Sequence, residues 1–518
     1  MTAQNMYEEG LRLSPTLISS GGVMVRSVVN LLLENTRNPL MMIGDVRALM
    51  GTLKTGEERL RSLMNRNRMA ELRGAAAYTL DLSERRMRAA LSRVPDGDYD
   101  AERWIDDDGI TPDPLRVSVS FRVRGDRAEL DFSGTGTQSA GPLTTCWEDA
   151  ARAVIGPKMM LDPRHPMNAG AMRPFDVLLP AGSVVLGLPP TSQSNHVEVG
   201  TKIAAVTIDA VSQACPEVGA ASDSGTTGAL TFWGFDSRPG RVGEPFFGIF
   251  MGGQGWGGTS RSDGVSFCLS PLYNCRAGVI EMAEIATPYV IWEWAAVMDS
   301  AGAGEYRGGF AAVVSMEALI DGFVMPMVDG ARASAPGASG GGAGPMCYAV
   351  VHERAAGAAP PLWNGIMPAS AYTPVFGIFD DEGRPDPDNG GFGNGTIEST
   401  CHLVSFPVTA GQVYRQVSAG AGGFGNPLDR DISAVLRDVS NELVSRAQAR
   451  DIYGVIVDER ATAVDETATR ELRDDLRARQ SAGEWVVPRA YHRDWPADQS
   501  EFDTLTGRAL AQAAAQEA

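Results

Sequence analysis

The sequence predicts a mixed α and β fold (α+β), with a glycine-rich core of short strands and a helical region at each end. Three observations predict this class. Apolar residues recur at helical spacing near both ends of the 518-residue chain, apolar and polar residues alternate in short runs between them, and many of the 59 glycines cluster there. We therefore expect three parts: a helical region (1–95), a mixed α and β core (96–430) and a second helical region (431–518).

The N-terminal region has the pattern of amphipathic helices. Apolar residues recur at helical spacing above a charged opposite face, namely Val46, Leu49, Met50, Leu53, Leu60, Leu63 and Met64. Asp45 precedes most of this pattern and is the expected N-cap of the long helix, because a short carboxylate side chain accepts hydrogen bonds from free N–H groups. Ser83 is likewise the expected N-cap of a second helix over Ser83–Arg93.

The core begins with a clear strand pattern. Apolar and polar residues alternate over 115–132 around a turn at Gly125, which predicts a β-hairpin. Short strands are expected at 174–179 and 183–188, followed by a helix over 201–214. Beyond it the chain is typical of short strands joined by tight turns, because glycine runs interrupt it repeatedly. These runs occupy 252–258, 302–309, 337–344, 390–395 and 420–425.

The C-terminal region returns to helical spacing after residue 431. A charged helix is expected over 468–480. The segment 485–496 mixes tryptophan and tyrosine with proline. Such an aromatic segment is typical of a docking strap, so we expect it to bind another surface rather than to act in catalysis.

Composition excludes several functional classes. The chain has 64 Asp and Glu against 45 Lys and Arg, a net charge of -19, which argues against binding to a nucleic-acid backbone. No apolar run is long enough to span a membrane, and the first residues lack the basic and apolar segments of a secretory signal. The six cysteines are scattered without a Cys-x-x-Cys pair. We therefore expect a cytoplasmic protein that binds neither nucleic acid nor membrane.

Lysine and histidine are too few and too scattered for two common kinds of site. The only lysines are Lys54, Lys158 and Lys202, and none lies in the Gly-rich motif that binds nucleotide phosphates. No two of the five histidines have metal-ligand spacing. The sequence also lacks a Gly-x-Ser-x-Gly elbow. No metal ligand is therefore assigned to this chain.

Several segments combine glycine with groups that could act chemically. The run GGQGWGG (252–258), which contains Gly253 and Gly255, is followed by Asp263; it is either an anion-binding nest or a turn-rich connection between strands. Asp299 and Arg307 flank another glycine-rich stretch and either act on a ligand or form a structural pair that fixes a turn.

Two further segments could bind substrate or serve local structure. Asp223 lies in an acidic turn, Asp-Ser-Gly-Thr, that either orients a ligand or caps a helix. Asn35, Arg37 and Asp45 precede the first long helix, where helix capping and substrate binding are compatible roles.

Taken in order, the motifs of the chain resemble those of the hydantoinase B/oxoprolinase family. This family includes the large subunits of ATP-dependent hydantoinases and 5-oxoprolinases and of acetone and acetophenone carboxylases. The similar motifs are EEGLRLSP (8–15), NTRNP with GD (35–45), DFSGTGTQ (131–138), NAGAMRP with LPAGS (168–183), GGQGWGG with DG (252–264), the stretch ending in DSAGAGEYRGG (284–309), GGGAG (340–344), GAGGFGNPLDRD (420–431) and YGVIVD (453–458).

The resemblance implies ATP-dependent chemistry shared between subunits. A hydantoinase A-like partner with an actin/hexokinase-like fold is expected to bind ATP and Mg²⁺ and to phosphorylate a carbonyl or enol oxygen, or bicarbonate. Family members usually carry an N-terminal segment with a His/Asp cluster before the EEGLR-like motif, and this chain begins almost at that motif. We therefore expect a further small subunit to supply that segment, and a divalent metal with it, unless the site has been lost.

The favoured function is that of a subunit of a multisubunit ATP-dependent ketone carboxylase that uses bicarbonate. The split architecture favours it, because the ketone carboxylases of this family are multisubunit assemblies. The first alternative is a subunit of an ATP-dependent hydantoinase, 5-oxoprolinase or lactamase that hydrolyses cyclic amides. The second alternative is a non-catalytic scaffold subunit.

The predicted site residues follow from these motifs. The expected catalytic residues are Asp263, Asp299 and Arg307. An arginine such as Arg307 or Arg37 can hold an anionic substrate group by bidentate contact. The expected substrate-binding residues are Asn35, Arg37, Asp45, Asp223, Gly253 and Gly255.

Overall fold

The computed structural model of the protein describes residues 3–111, 113–271, 275, 278–354, 372–377 and 405–487. Its helices are α1 (Arg26–Glu34), α2 (Pro39–Arg66), α3 (Met69–Leu91), α4 (Ala150–Leu161), α5 (Ala169–Met172), α6 (His196–Ala214), α7 (Ile280–Ala286), α8 (Ile432–Ser440), α9 (Arg446–Asp451) and α10 (Glu466–Ser481). The predicted mixture of α and β structure is confirmed. The glycine run 390–395 and the aromatic segment beyond residue 487 lie outside the described residues.

The strands form three sheets and one short hairpin. The hairpin joins β1 (Ser19–Ser20) to β2 (Val23–Met24). The other strands are β3 (Gly97–Ile105), β4 (Leu115–Arg124), β5 (Arg127–Asp131), β6 (Phe175–Leu178), β7 (Ala229–Phe235), β8 (Pro245–Met251), β9 (Tyr289–Ala296), β10 (Ala312–Ala318), β11 (Gly322–Met327), β12 (Tyr348–Glu353), β13 (Thr373–Phe376), β14 (Phe406–Val408) and β15 (Gln412–Val417).

The first sheet has the order β3-β4-β5-β6 and forms one core with α3, α4 and α6. The predicted hairpin is confirmed as β4 and β5, which turn at Gly125 with a positive φ of 62°. Alternate residues of β4, such as Val117 and Phe121, are buried, because a strand directs successive side chains to opposite faces. Helix α6 packs against β3 and β4 and carries the buried face of this core.

The other two sheets share a second core. One has the order β14-β11-β7-β8 and the other β13-β12-β15-β10-β9, and the paired strands in both are antiparallel. Aromatic side chains join them: Phe232 of β7 and Tyr289 of β9 lie with ring centroids 5.0 Å apart. A third, smaller core includes Ala303 and Phe310 together with α8 and α9.

Two helix starts expected from the sequence are wrong. Helix α2 begins at Pro39 rather than after Asp45, because Asn38 caps it by accepting the Met41 N–H at 3.1 Å and proline fits the first helical position. Ser83 does not start a helix: it lies buried inside α3 and accepts a hydrogen bond from the Asn168 side chain at 2.8 Å.

Further boundaries are partly right. Helix α6 begins at His196, five residues before the predicted start. The strand expected at 174–179 is β6, whereas 183–188 forms only isolated bridges, from Ser183 to Leu186 and to Thr137. The C-terminal helix predicted over 468–480 is α10, which begins after the capping residue Asp465.

Glycine-rich segments pack directly on one another between the second and third cores. We call the segments 252–264, 300–309, 335–345 and 418–425 together the glycine layer. Backbone hydrogen bonds join them in sequence-distant pairs: Gly258 N to Gly422 O at 2.9 Å, Gly423 N to Gly342 O at 2.8 Å, Gly302 N to Ala421 O at 2.8 Å and Gly309 N to Trp256 O at 2.8 Å. The layer is therefore held by peptide groups rather than by side chains.

Side chains are excluded from the glycine layer because the neighbouring backbone occupies their space. A Cβ atom on Gly255 would lie 2.2 Å from Gly309 O, and one on Gly257 would lie 1.8 Å from Ala221 O. By contrast, Gly51 inside α2 has no neighbouring atom within 4 Å of such a Cβ. The glycine runs thus serve close packing of backbone against backbone.

This contrast predicts opposite outcomes for two glycine-to-alanine changes. Gly255→Ala forces backbone atoms apart, so we expect it to destabilise the chain by several kcal/mol or to prevent soluble expression. Gly51→Ala is expected to stabilise it by about 0.5–1 kcal/mol, because alanine is the better helix former. Thermal and urea unfolding of both variants measure the difference. Equal stability of the two would contradict the packing described for the layer.

Candidate functional site

A cleft of about 270 Å³ opens between α4, α6 and the glycine layer. Met159, Met160 and Ile208 give it an apolar wall, and Trp256 closes another side. Asp223 also lines it, and we call it the Asp223 cleft. Ligand sites in proteins combine an apolar wall with a few polar groups, so this arrangement is the leading candidate for substrate binding.

Hydrogen bonds on two sides hold the segment that carries Asp223. The Ala221 N–H donates to Gly258 O at 2.7 Å, which attaches the segment to the glycine layer. The Thr201 hydroxyl of α6 donates to Gly225 O at 2.9 Å. Asp223 therefore sits between a helix and a rigid layer, and its carboxyl group has a defined position beside the cleft.

The electrostatic surroundings of Asp223 favour its protonated form. Burial raises the pKa of the Asp223 carboxyl, while the positive charge of Lys202 and a hydrogen bond with Ser270 offset only part of this effect. A carboxyl group with a raised pKa is a stronger base than an ordinary aspartate. Asp223 is thus better suited to accept a proton than an ordinary aspartate.

A buried charge cluster lies behind the Asp223 cleft. The Lys202 ammonium of α6 forms an ion pair with Asp329. Burial alone would lower the pKa of Lys202, but the nearby carboxylates of Asp329 and Asp106 raise it above its usual value. Lys202 therefore stays charged inside the protein.

The carboxylate of Asp106 anchors the loop that follows β11. It accepts the N–H groups of four successive residues at 2.7–3.2 Å, namely Gly330, Ala331, Arg332 and Ala333. The Asp106 N–H in turn donates to the carboxylate of Asp329 at 2.8 Å. Because carboxylate hydrogen bonds to buried N–H groups are strong, this cluster fixes the first sheet to the second core.

A second buried carboxylate lies in the first turn of α6. Glu198 accepts the Thr227 N–H at 3.0 Å and the Thr227 hydroxyl. Thr226 brings the same segment to Asp329, whose N–H donates to the Thr226 hydroxyl at 2.8 Å. The segment from Asp223 to Thr227 is therefore tied to α6 and to the buried charge cluster at once.

A larger trough of about 1170 Å³ runs along the edge strand β3. Most of its charged side chains form ion pairs: Arg116 contacts Glu102 at 2.6 Å, and Arg103 pairs with Asp209. Paired charges already satisfy each other, so this trough is the weaker candidate for a substrate site.

Two arginines and two aspartates form a network that joins the glycine layer to the C-terminal helices. Arg430 contacts both carboxylate oxygens of Asp263, at 2.6 and 2.8 Å, and Asp438 at 2.8 Å. Arg307 contacts both carboxylate oxygens of Asp438, at 3.0 and 3.2 Å. The Arg307 N–H also donates to Asp263 at 3.0 Å. We call these four residues the ion-pair clamp.

The Hydantoinase B/oxoprolinase family profile matches residues 1–427. The chain belongs to the hydantoinase B/oxoprolinase family. Membership accounts for the ordered glycine motifs noted in the sequence.

This family member is similar to subunits of enzymes with different names. It is 28% identical to the beta subunit of caprolactamase from Pseudomonas jessenii, over 90% of this chain and 75% of the relative. It is 24% identical to the B subunit of a putative D-/L-hydantoinase from Pseudomonas sp. (strain NS671), over 91% and 74%. It is 23% identical to the delta subunit of acetophenone carboxylase from Aromatoleum aromaticum, over 96% and 72%. The chain thus spans about three quarters of these relatives.

Solved structures share the fold of this hydantoinase B/oxoprolinase family member. The ATP-dependent caprolactamase from Pseudomonas jessenii superposes with a TM-score of 0.73 at 24% identity, over 91% of this chain and 76% of that chain. A nucleotide-free acetone carboxylase superposes with a TM-score of 0.77 at 17% identity, over 93% and 66%. At these identities the likeness establishes the architecture.

The structure separates the predicted catalytic residues of this family member from the Asp223 cleft. Asp263 and Arg307 lie in the ion-pair clamp. Asp299, with a positive φ of 59°, accepts the Ser445 N–H at 2.7 Å and so holds the start of α9. Burial raises the pKa of the Asp299 carboxyl. Asp299 and Arg307 do not pair with each other, and the catalytic role of all three residues stays a prediction.

The predicted substrate-binding residues fall into three places. Asp223 lines the cleft described above. Gly253, with a positive φ of 81°, and Gly255 lie in the glycine layer, where their missing side chains make room for backbone. Asn35 and Arg37 are exposed in the connection between α1 and α2, and Asp45 is exposed on α2; within the described part of the chain neither charged member forms an ion pair. Their substrate-binding role stays a prediction.

Sequence reasoning missed the residues that surround Asp223 and the clamp partners. Met159, Met160 and Trp256 line the cleft, and Arg430 and Asp438 complete the clamp. The sequence contained only two indirect indications of this region: Trp256 interrupts a glycine run, and the nearby Lys202 is one of only three lysines. Sequence spacing alone does not show which distant segments meet.

The three lysines and the metal-ligating side chains of the described residues lie apart from one another. Lys54 is exposed on α2, Lys158 donates to the backbone oxygen of Asp162 at 2.6 Å, and Lys202 pairs with Asp329. None lies at a helix N-terminus or in a glycine nest suited to phosphate. No group of three or more His, Cys, Asp or Glu in the described ranges has the arrangement of a metal site. Likewise, no helix there is long and apolar enough to cross a membrane.

Proposed function

We propose that this chain is the hydantoinase B-type subunit of an ATP-dependent enzyme complex that hydrolyses a cyclic amide, and that the Asp223 cleft binds the ring. One observation carries the proposal: Asp223, whose carboxyl group has a raised pKa, is among the residues that line a small cleft whose wall is otherwise mostly apolar. A hydrocarbon ring fits the wall, and an amide group can hydrogen bond to the carboxyl.

The same cleft is less suited to bicarbonate. An anion requires positive charge or several N–H donors, and among the described residues that line this cleft Arg261 has the only cationic side chain. The negative charge of a deprotonated Asp223 would repel an anion bound next to it. An uncharged ring carries no such penalty, so the geometry favours cyclic amides over ketone carboxylation.

Within this proposal, Asp223 acts as a general base. A water molecule in the cleft attacks the activated amide carbon and its proton passes to the Asp223 carboxylate. Asp223 then returns the proton to the ring nitrogen as the carbon–nitrogen bond breaks, and a second water molecule releases the phosphate from the resulting acyl phosphate. The apolar wall limits the number of water molecules that reach the substrate. Activation by ATP belongs to a hydantoinase A-like partner with Mg²⁺, and a further small subunit would supply any divalent metal. The names of the relatives, which include caprolactamase and hydantoinase subunits, support this assignment.

Ketone carboxylation is the second candidate. The delta subunit of acetophenone carboxylase aligns with 96% of this chain, a larger share than either cyclic-amide relative reaches. In that case the chain would bind an enol derived from a ketone, and bicarbonate would bind on the partner's side of the complex.

A substrate panel separates the two candidates. The chain is co-expressed and purified with a hydantoinase A-like partner, and ATP hydrolysis and product formation are measured with caprolactam, hydantoin and 5-oxoproline. The same preparation is then given acetone or acetophenone with bicarbonate. We expect ring opening that depends on ATP and on both subunits. Carboxylated products without any ring opening would overturn the proposal in favour of the second candidate.

A further inference from the structure

Among the described residues, none packs against helix α2 along most of its length. Val46 is its only buried residue. Every residue from 51 to 70 is exposed, and this includes Leu53 at 66% and Leu60 at 56% of their full accessible surface. Soluble proteins rarely leave a row of large apolar side chains in water, and such a row marks an interaction site.

The apolar residues of α2 form a seam with the spacing of a coiled coil. The exposed seam positions are Leu49, Leu53, Gly56, Leu60 and Leu63, which alternate at intervals of four and three residues. A repeat of 3.5 residues keeps one stripe of a helix facing a second helix along its length. The seam is therefore built for another long helix rather than for a flat surface.

The seam matches a second copy of itself in antiparallel orientation. If the two-fold axis passes between Lys54 and Thr55, the four central layers are apolar on both sides: Leu49 meets Leu60 of the other copy, Leu53 meets Gly56, and the axis repeats both pairs. The glycine leaves room for the leucine opposite it. A self-matching seam of this kind gives an isologous, two-fold contact.

The flanking positions fit the same register. On one side of the seam, Asp45 of one helix comes next to Arg66 of the other, and the two-fold axis repeats this pair. On the other side, Ile43 meets Met64. Arg47, Lys54 and Arg61 lie away from the seam, so these three basic side chains do not face the other copy. Parallel pairing would put Asp45 and Arg66 at opposite ends of the contact.

We infer that two copies of this chain associate through an antiparallel pair of α2 helices centred between Lys54 and Thr55. The buried leucine layers provide the affinity, and the two Asp45–Arg66 pairs set the direction. The contact uses residues that the Asp223 cleft does not, so the association is independent of the reaction that the complex catalyses.

Analytical ultracentrifugation of the purified full-length chain tests this inference. We expect a dimer at micromolar concentration. Leu60→Glu places a charge in the seam, so it is expected to raise the dimer dissociation constant by at least about 10²-fold. The matched control Thr55→Glu adds the same charge on the opposite face of α2 and should leave the dimer intact. Far-UV circular dichroism checks that both variants keep their helices.

Charge reversal tests the antiparallel register. Asp45→Arg alone and Arg66→Asp alone place like charges together and should each weaken the dimer about 10-fold. The double variant restores both pairs in reversed order and should recover most of the affinity. A monomeric wild-type chain would overturn the inference, as would equal effects of the two glutamate variants or a double variant weaker than both singles. A one-to-one complex in which another subunit covers α2 would also overturn it.

Discussion

Asp223→Asn is expected to lower kcat of the assembled complex by at least about 10²-fold with a cyclic-amide substrate. The change removes the group that accepts the proton of the attacking water and keeps the shape of the side chain. Because burial is the main cause of the raised pKa of Asp223, the neutral asparagine removes a charge that the fold disfavours, so the variant should stay folded at pH 7. KM should change much less than kcat.

Two comparisons make this experiment decisive. Asp474→Asn alters an exposed aspartate of α10 and should leave kcat unchanged. In the wild-type complex, kcat should fall as the pH is lowered through the pKa of Asp223, because the protonated carboxyl cannot act as a base. Since burial raises this pKa, the fall should begin at a higher pH than for an ordinary aspartate. Full activity of Asp223→Asn would remove Asp223 from the mechanism.

Arg430→Met is expected to destabilise the chain by about 3–5 kcal/mol, the usual cost of removing one partner from a buried ion pair. Arg430 is almost fully buried, and it is the side chain that contacts both oxygens of Asp263. Its loss leaves Asp263 with the Arg307 N–H and a more distant guanidinium, 4.0 Å away. Methionine fills much of the space, so the lost charge, rather than a cavity, dominates the effect.

Urea unfolding and limited proteolysis measure this change. We expect the urea concentration at the midpoint of unfolding to fall. We also expect the protease to cleave first within α8–α10, because the clamp attaches these helices to the glycine layer. Arg450→Ala is the matched control, since the exposed Arg450–Asp451 pair should contribute no more than about 1 kcal/mol. If both variants lose the same stability, the clamp does not hold the C-terminal helices.

Local patterns in the sequence predicted much of the fold. The alternation over 115–132 and the turn at Gly125 predicted β4 and β5 correctly, because hairpin register depends on neighbouring residues. Helix starts were less accurate. Asp45 and Ser83 are both suitable capping residues, but Asn38 with Pro39 forms the better start, and α3 continues through Ser83 because its neighbours favour a helix.

The candidate site was only partly predictable. Asp223 stood out because it lies in a short acidic turn, but nothing local indicated that Met159 and Trp256 would line the same cleft. The clamp shows the same limit. Asp263 and Arg307 were identified from nearby glycines, while their partners Arg430 and Asp438 lie more than 120 residues further along the chain. Contacts over such separations depend on how the sheets and the glycine layer assemble.

The glycine layer has a consequence for how the stability of the protein varies with temperature. The layer brings peptide groups together and buries little hydrocarbon. Exposure of hydrocarbon raises the heat capacity on unfolding, whereas exposure of polar groups lowers it. Unfolding of this part of the chain should therefore contribute less heat capacity than the usual value of about 12–15 cal/mol/K per residue. Its share of the heat capacity should make the stability curve slightly broader than that of a chain of equal length without such a layer.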